Sequence, residues 1–411
     1  MRVIVWGINY APEFTGIAPH NVALCDFLHA RADDVAMIST FAYYPGWKKR
    51  REDRGHLYRT DVINGVPVYR CWHYVPRRVS PLKRIIHEAS FILTSTLRAL
   101  SLKRADVYVV VSPPLLLGAA AWLVGRLKRA PFIFHVQDIQ PDAAVGLGML
   151  RSGWLTRLLY ALERFDYSTA TRVSGITRGM LENFRGKGVP SQKLLYFPNT
   201  IELGEPAASA RTCFRSEFGF MENEFLCAYA GNLGVKQGLE ILIDAARGLQ
   251  STRVRIVICG DGAQREVLQC RVAELRLPNV SMLPLQEGRA YRNLLDGVDV
   301  CFITQQSGSG NSFFPSKLLG LLAAGKPVVT VAMPEGELAQ ATVSGGFGRN
   351  VEPGQPEKLA AVLEEMSGDP TMLERYALAG KEFVQQFERR RVLSAFAREI
   401  DLLAAKVSSG S

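Results

Sequence analysis

The sequence contains no pair of cysteines spaced as Cys-x-x-Cys, the spacing that many structural zinc sites and redox motifs use. Its seven cysteines are odd in number, and most of them lie in apolar, strand-like stretches. We therefore expect reduced cysteines in the cores of a cytoplasmic protein, without disulfides or zinc. An Asp-x-Asp motif is also missing. The sequence thus offers no group of carboxylates for a catalytic metal ion, and we expect metal-independent chemistry.

A long apolar segment that could cross a bilayer is missing as well. The chain begins with the strand-like stretch MRVIVWGINYAP, whereas a signal peptide has a basic segment followed by an apolar one. The longest run without charge is Val107–Gly125, and Ser112-Pro113-Pro114 divides it into a short strand and a helix. We expect a protein without a signal peptide or a membrane span.

Acidic residues are scarce in the first half of the chain. Residues 1–200 contain 27 Lys and Arg against 14 Asp and Glu, a net charge of +13. Residues 201–411 contain 22 against 25, a net charge of −3. A basic half predicts an acidic partner, such as a nucleic acid, an anionic bilayer or a phosphorylated substrate. No nucleic-acid recognition motif accompanies the charge, so we expect no nucleic acid partner.

Strand-like and helix-like segments alternate through most of the 411 residues, which are enough for two or three domains. Several strands are continuous apolar runs, as in parallel sheets covered on both faces. The pattern predicts an α/β fold with two Rossmann-like, doubly wound parallel-sheet domains, residues 1–200 and 223–388, facing each other across a cleft. Small, polar and proline residues in 201–222 predict a linker. Residues 389–411 predict a helix that can return to the N-terminal domain.

The most informative loop follows a strand in CAYAGNLGVKQGLEILIDAA, residues 227–246. Ligands of parallel α/β sheets bind at the carboxyl ends of strands. Glycines such as Gly231 and Gly234 let backbone N–H groups approach an anion, and Lys236 adds a cation at the start of the next helix. The alternative is a routine turn between strand and helix, which leaves Lys236 and the second glycine unexplained.

Three further loops of the same half carry weaker signals. In NSFFPSKLLGLLAAGKPVV, residues 311–329, Ser316 and Lys317 stand at the start of a helix. Two lysine-bearing helix starts in one domain indicate a diphosphate rather than a monophosphate. Gly260 in ICGDG follows another strand, and Leu285 after NVSMLP can present backbone groups to a nucleobase. Simple packing explains the last two equally well.

The first half contributes two loops. Gly16, in YAPEFTGIAPHN, follows the first strand and can bring backbone N–H groups to a ligand. His135 and Asp138, in FHVQDIQPD, stand at the end of another strand, where catalytic groups are often placed. The alternative is a hydrogen-bonded core histidine followed by an aspartate that caps a helix.

Six fragments, in this order, resemble glycosyltransferases of GT-B architecture and family 4, within a bacterial exopolysaccharide subgroup. They are NYAPEFTGIAPHN, FAYYPGW, HVQDIQPDAAVGLGML, FPNT, AGNLGVKQGLEILIDAA and FPSKLLGLLAAGKPVV. The resemblance runs from Arg2 to about Phe387. It implies retaining transfer of a sugar from a UDP- or GDP-linked donor, without another cofactor. It also implies a donor held mostly by the C-terminal domain and an acceptor held by the N-terminal one.

The resemblance also implies roles for single residues. Asn232 and Lys236 fall where the family has an arginine and a lysine on the diphosphate, and Lys317 is our candidate for the missing charge. Two family glutamates that contact the donor sugar and ribose correspond to Ser312 and Gly320, and neither is a carboxylate. The candidate catalytic residues are His135, Asp138, Lys236 and Lys317. The candidate donor-binding residues are Gly16, Asn232, Leu233, Gly234, Gly260, Leu285, Phe314, Pro315 and Ser316.

A basic segment, residues 75–105, mixes seven Lys and Arg with apolar residues at helical spacing. This pattern predicts a helix on an anionic leaflet, and so a protein peripheral to the cytoplasmic face of the inner membrane with a lipid-linked acceptor. The alternative is an ordinary amphipathic helix packed on the sheet with a solvated basic rim. Two other functions remain open: a nucleotide-sugar epimerase of the same architecture, or a non-catalytic nucleotide-sugar-binding subunit.

Overall fold

The structure is a computed structural model that describes residues 1–78, 80–142, 153–204, 211–307 and 317–409. The chain forms two compact units. The N-terminal unit consists of Met1–Thr200 and Arg389–Ser411, and the C-terminal unit consists of Ile201–Glu388. Each unit is described by itself below.

The N-terminal unit is built on an eight-stranded sheet in the order β3-β4-β2-β1-β5-β6-β7-β8. Its strands are β1 Arg2–Trp6, β2 Asp34–Thr40, β3 Tyr58–Ile63, β4 Val66–Cys71, β5 Val107–Ser112, β6 Phe132–Val136, β7 Arg172–Gly175 and β8 Leu194–Tyr196. Every neighbouring pair is parallel except β3 with β4. The strand order reverses between β1 and β5, which is where ligands of doubly wound sheets bind.

The antiparallel edge strand β3 was not predicted. It forms a hairpin with β4 around Asn64 and Gly65, whose φ angles are +52° and +82°. An Asn-Gly pair favours this geometry because both residues tolerate positive φ, and it is a signal that could have revealed the hairpin.

Helices cover both faces of this sheet. They are α1 Ala18–Ala30, α2 Pro81–Ser101, α3 Leu117–Lys128, α4 Trp154–Thr169, α5 Arg178–Gly186 and, at the end of the chain, α14 Arg389–Ser409. Phe91 of α2, Val124 of α3 and Tyr167 of α4 share one buried apolar cluster. Leu28 of α1 and Ile400 of α14 belong to a second cluster on the other face of the sheet. The last helix thus completes the core of the N-terminal unit.

The C-terminal unit has a six-stranded sheet in the order β11-β10-β9-β12-β13-β14, and all its neighbouring strands are parallel. The strands are β9 Phe225–Asn232, β10 Val254–Asp261, β11 Val280–Leu283, β12 Val300–Thr304, β13 Val328–Val331 and β14 Gly348–Val351. The order reverses between β9 and β12. The predicted fold class, two α/β domains with doubly wound sheets, is confirmed.

The helices of this unit lie on both faces of its sheet. They are α6 Arg211–Glu217, α7 Glu240–Gly248, α8 Arg265–Glu274, α9 Gly288–Gly297, α10 Lys317–Ala323, α11 Glu337–Ser344, α12 Pro356–Gly368 and α13 Pro370–Val384. Residues 201–222 were expected to be a linker, and the described part of this segment contains α6, which packs in the unit. Phe214 is fully buried, and the buried Arg215 donates hydrogen bonds to Gly297 O and to the carboxylate of Asp299, each at 2.8 Å.

In the described part of the chain, no helix combines the length and apolar character that crossing a bilayer requires. All seven cysteines are free, and five of them are buried, as most of their sequence surroundings indicate.

Candidate active site

The loop after β9 is fixed at the carboxyl end of the C-terminal sheet by hydrogen bonds to its neighbours. The hydroxyl of Tyr229 donates to Asn232 O at 2.8 Å. The backbone N–H of Leu233 donates to Asp261 O at the end of β10, and Leu233 O accepts from Gln264 N, both at 2.8 Å. Two of the predicted donor-binding residues, Asn232 at the end of β9 and Leu233 directly after it, therefore lie in a segment with a defined conformation.

The second half of this loop is held against the end of β12. The backbone N–H of Gly234 donates to the side-chain oxygen of Gln237 at 3.2 Å, and Gly238 has a left-handed φ of +56°. Lys236 O accepts from Gln306 N at 2.9 Å. The Lys236 side chain is exposed, and no carboxylate of the described residues lies within ion-pair distance of it. Its charge is available to an anion at the reversal of strand order.

Lys317 brings a second cation to the end of β9. Its Nζ donates to Ala230 O at 3.1 Å and lies 5.2 Å from the centre of the Tyr229 ring. Part of the side chain is exposed, but protein atoms surround the ammonium group, and this desolvation lowers its pKa to about 8. A Cβ on Gly231 would lie only 1.6 Å from Nζ. The glycine is therefore required for this position of the lysine.

Arg265 is a further basic residue at this edge of the sheet, and our sequence predictions did not include it. It begins α8, and its Nη1 donates to Gly260 O and, at 3.0 Å, to Leu283 O, which joins the ends of β10 and β11. Gly260 is itself required, because a Cβ there would lie 1.8 Å from Gly231 O. Leu285, just beyond β11, is 47% exposed and can contact a ligand. The sequence signal that could have indicated Arg265 is its position shortly after the strand and turn in ICGDG.

Several predicted residues lie outside the described part of the chain. They are Phe314, Pro315 and Ser316, together with Ser312, one of the two positions where the family has glutamate. The other position, Gly320, lies in α10, and a Cβ added there would meet no atom within 4 Å. The described surroundings of Gly320 would thus accept a side chain.

In the N-terminal unit, the predicted residue Gly16 follows β1 with a φ of +65° and is exposed. The same loop contains a buried carboxylate that the sequence analysis missed. One oxygen of Glu13 accepts from Tyr43 N and Tyr44 N, both at 2.9 Å, and the other accepts from the Asn9 side chain at 2.8 Å. Burial raises the pKa of Glu13, whereas these hydrogen bonds lower it. The carboxyl group joins the loops that follow β1 and β2.

His135 is enclosed in the core of the N-terminal unit. Its Nδ1 lies 2.9 Å from the Ser174 hydroxyl, its Nε2 lies 2.8 Å from the Gln137 side-chain nitrogen, and its ring contacts Phe197. Burial lowers the pKa of His135 to about 3, so the ring is neutral at physiological pH. This geometry favours the alternative of a hydrogen-bonded core histidine. Asp138 lies in the loop after β6 and is half-buried.

The site in the C-terminal unit is suited to an anion. The glycine loop and two lysines lie at the carboxyl ends of β9 and β12, where the strand order reverses. Glycines permit close approach of a ligand to the backbone, and lysines provide point charges for phosphate. Among the residues that the structure describes, no three His, Cys, Asp or Glu side chains could together hold a metal ion.

Comparisons with known proteins match both units. Residues 15–200 match a family model described as glycosyl transferase 4-like domain. Residues 211–383 match a model described as glycosyl transferases group 1. The two matches together cover most of both units.

Three individual proteins illustrate the relationship. The chain is 30% identical over 410 residues to the putative colanic acid biosynthesis glycosyl transferase WcaI of Escherichia coli K12, covering 97% of this chain and 100% of that protein. Sucrose-phosphate synthase of Thermosynechococcus elongatus has a similar fold, with a TM-score of 0.76, 15% identity, and coverage of 98% of this chain and 99% of that chain. Anabaena HepE in complex with UDP gives a TM-score of 0.70 and 16% identity, and the match covers 98% of this chain and 100% of that chain. The chain therefore belongs to the family 4 glycosyltransferases of GT-B architecture, with WcaI among its relatives.

Proposed function

We propose that this protein is a retaining, metal-independent transferase that moves a sugar from a UDP- or GDP-linked donor to a lipid-linked acceptor. The observation that carries the proposal is the placement of Lys236 and Lys317 at the reversal of strand order, beside a glycine loop. A diphosphate needs such a combination of close backbone approach and concentrated positive charge.

The comparisons support a nucleoside diphosphate as the donor's leaving group. HepE is described in complexes with UDP and with UDP-glucose, and a similar trehalose-6-phosphate protein of E. coli with UDP-2-fluoro glucose. In the proposed arrangement, the diphosphate contacts the loop from Asn232 to Lys236. The nucleoside then extends toward the ends of β10 and β11, where Leu285 is exposed.

The lysines stabilise charge that develops during the reaction. The bond between the anomeric carbon and the β-phosphate oxygen breaks, and the acceptor oxygen bonds to the anomeric carbon on the same face. The acceptor proton moves to an oxygen of the departing diphosphate, so no protein base is needed. Lys236 and Lys317 stabilise that leaving group, and a well-aimed donor of this kind contributes about 3–4 kcal/mol. The absent glutamates at positions 312 and 320 are thus not required for proton transfer.

The acceptor and the cellular role follow from the relatives and from the charge. WcaI is described as a colanic acid biosynthesis enzyme, and the structurally similar WaaG as involved in lipopolysaccharide biosynthesis. We place this protein in the same kind of process, the assembly of an exopolysaccharide or cell-surface glycan. The net charge of +13 in residues 1–200 suits an acceptor carried at the anionic cytoplasmic face of the inner membrane.

The first test is a thermal-shift panel with UDP, GDP, dTDP and their sugars, because a ligand that binds only the folded state raises the melting temperature. Lys236→Ala and Lys317→Ala should each reduce the shift caused by the preferred nucleotide. No shift with any member of the panel would contradict the proposal.

The second test adds membrane lipid extract as a source of acceptor to the donor that binds best. Sugar should appear in the lipid fraction only when enzyme, donor and extract are all present. Chemical conversion of the donor by enzyme alone would instead identify an epimerase. Donor binding without any turnover would indicate a non-catalytic subunit.

A further inference from the structure

Three neighbouring helices of the N-terminal unit expose large apolar side chains away from the sheet. They are α2, α3 and α4, and α3 contacts each of the other two. Eleven of the 24 exposed large apolar residues in the described chain belong to these helices or immediately precede them. They are Leu82, Ile85, Ile86, Leu93, Leu97, Leu116, Trp122, Leu123, Leu127, Trp154 and Leu158. We call this set of residues the helical face.

The helical face is strongly exposed. Leu82 is 68% exposed, Leu93 64%, Leu127 62% and Trp154 77%. Exposed apolar residues are ordinary on protein surfaces when they are scattered singly. A concentration of them on adjacent helices marks an interaction surface.

Helix α2 packs on the sheet with one side and exposes apolar residues on another side. Its inner side buries Phe91 and Ala99 completely. Leu82, Ile86, Leu93 and Leu97 recur at intervals that place them on one side of the helix, and all four are exposed. The sequence of this helix left two alternatives open, a helix on a membrane and a helix packed on the sheet. The structure has an apolar side facing the sheet and a second apolar side facing outward.

The charges around the helical face have one sign. The exposed basic residues on or beside the three helices include Arg77, Arg78, Lys83, Arg126, Arg157 and Arg164. The three helices contain three carboxylates. Glu88 pairs with Arg84 at 3.2 Å, and both Glu163 and Asp166 are buried. In the described part of the chain, these three helices therefore form an apolar face that is rimmed by positive charge and has no exposed, unpaired carboxylate on the helices themselves.

We infer that the helical face binds an anionic phospholipid bilayer, with the three helices lying in the plane of the interface. Exposed leucines would enter the boundary of the acyl chains. Trp122 and Trp154 would lie at headgroup depth, where tryptophan is favoured. The basic rim would contact anionic headgroups, which attract basic residues near the membrane surface. The purpose of this binding, access to a lipid-linked acceptor, rests on the proposed function, but the binding itself does not.

Vesicle flotation with the full-length protein tests the inference. Vesicles of phosphatidylglycerol mixed with phosphatidylcholine should bind the wild type, and pure phosphatidylcholine should bind it far less. The triple variant Leu93→Ser, Leu97→Ser, Leu127→Ser should bind at least tenfold less. Val343→Ser with Leu378→Ser, two positions of the C-terminal unit that are each 69% exposed, is the matched control and should bind normally.

Insertion can be separated from simple charge attraction. Phosphatidylglycerol vesicles with brominated acyl chains should quench tryptophan fluorescence of the wild type, and Trp122→Phe combined with Trp154→Phe should remove most of that quenching. A variant that combines Arg77→Gln, Arg78→Gln and Lys83→Gln should bind more weakly than the wild type. The difference should be largest at low salt, because added salt screens the attraction between basic residues and anionic headgroups.

Three outcomes would overturn the inference. The wild type could fail to float with anionic vesicles at low salt. The control variant with Val343→Ser and Leu378→Ser could lose as much binding as the triple leucine-to-serine variant. Sedimentation equilibrium could show that the wild type is a dimer and the triple leucine-to-serine variant a monomer, which would make the face an interface between copies of the chain. A nucleotide-induced thermal shift in the triple variant shows that it is folded. If the wild type binds vesicles but no nucleotide raises the melting temperature of the wild type or of any variant, the proposed donor is wrong and the membrane inference still stands.

Discussion

The ammonium nitrogen of Lys317 occupies the space that a side chain on Gly231 would need, since a Cβ there would lie 1.6 Å from it. Gly231 also has a φ of +143°, which favours glycine. The small size of residue 231 thus determines where the lysine charge lies at the end of β9.

Replacing Gly231 by alanine should displace the ammonium group from Ala230 O and reduce activity. We expect Gly231→Ala to lower kcat/KM by about 10²-fold or more, because an aimed donor is worth about 3–4 kcal/mol in the transition state. Lys317→Ala should cause a loss of similar size. Steady-state kinetics with a lipid acceptor measures both losses.

A double-mutant cycle separates the displaced charge from backbone strain. Gly231→Ala combined with Lys317→Ala should be little worse in kcat/KM than Lys317→Ala alone, because the charge can be lost only once. If the loss of kcat/KM in the double variant equals the product of the two single losses, Gly231 acts independently of the lysine. The melting temperature should fall in both variants that carry the Gly231→Ala substitution, since their backbone strain remains.

Lys236→Ala should reduce turnover far more than stability. The side chain is exposed and has no carboxylate partner among the described residues, so the folded state loses little when it is removed. We expect a fall in kcat/KM of one to two orders of magnitude, and a melting temperature close to that of the wild type. Lys358→Ala, an exposed lysine on α12, is the matched control and should leave both quantities unchanged. A large drop in melting temperature with full activity of the remaining folded enzyme would contradict the assignment.

The pKa of Lys317 predicts a basic limb in the pH profile. Desolvation lowers this pKa from 10.5 to about 8. The lysine is charged below pH 8 and loses its proton as the pH rises through that value, so kcat/KM should fall above about pH 8. A bound diphosphate favours the charged form, so the limb in kcat should lie at higher pH. Lys317→Arg should shift the limb of kcat/KM upward, and an unchanged profile would assign the limb to another group.

Parallel strands were predictable because their continuous apolar runs have few other structures available to them. β5 and β10 are examples, and both are buried almost throughout. Edge strands such as β3 and β14 carry weaker patterns, because one side of each has no partner strand. Burial of Phe214 and Arg215 packs α6 into the C-terminal unit, although the composition of residues 201–222 indicated a linker.

The positions of Lys236 and Lys317 near strand ends could be predicted, because glycines and strand ends mark such positions in a sequence; their roles stay predictions. Arg265 and Glu13 were missed, because their roles depend on backbone groups that only the fold brings to them. His135 illustrates the same limit. Its ring also lies near Phe396 of α14, a residue far away in the sequence that helps to bury it.

Removal of divalent metal ions should leave activity unchanged. In the proposed reaction, lysines stabilise the diphosphate, a role that magnesium or manganese performs in many other enzymes. Activity in excess EDTA should therefore equal activity in the untreated enzyme. A complete loss that manganese or magnesium reverses would show that a metal ion takes part.

A buried carboxyl group on α4 should make stability depend on pH. Asp166 is fully buried, and neither of its oxygens has a hydrogen-bond partner among the described residues. It packs against Gly118, where an added Cβ would lie 2.4 Å from its Cγ. Burial, assisted by the charge of Glu163, raises the pKa of Asp166 from 3.8 to about 8. The carboxyl group is therefore protonated in the folded protein at neutral pH.

Between about pH 4 and pH 8 the folded state holds a proton that the unfolded state has lost, so the free energy of unfolding falls as pH rises. The slope from this one group is at most about 1.4 kcal/mol per pH unit, and the loss is complete above pH 8. Asp166→Asn cannot ionise and should remove this dependence. Urea unfolding should therefore show a variant that gains stability relative to the wild type as the pH is raised from 5 to 9. A constant difference between the two proteins across that range would show that Asp166 does not titrate in this way.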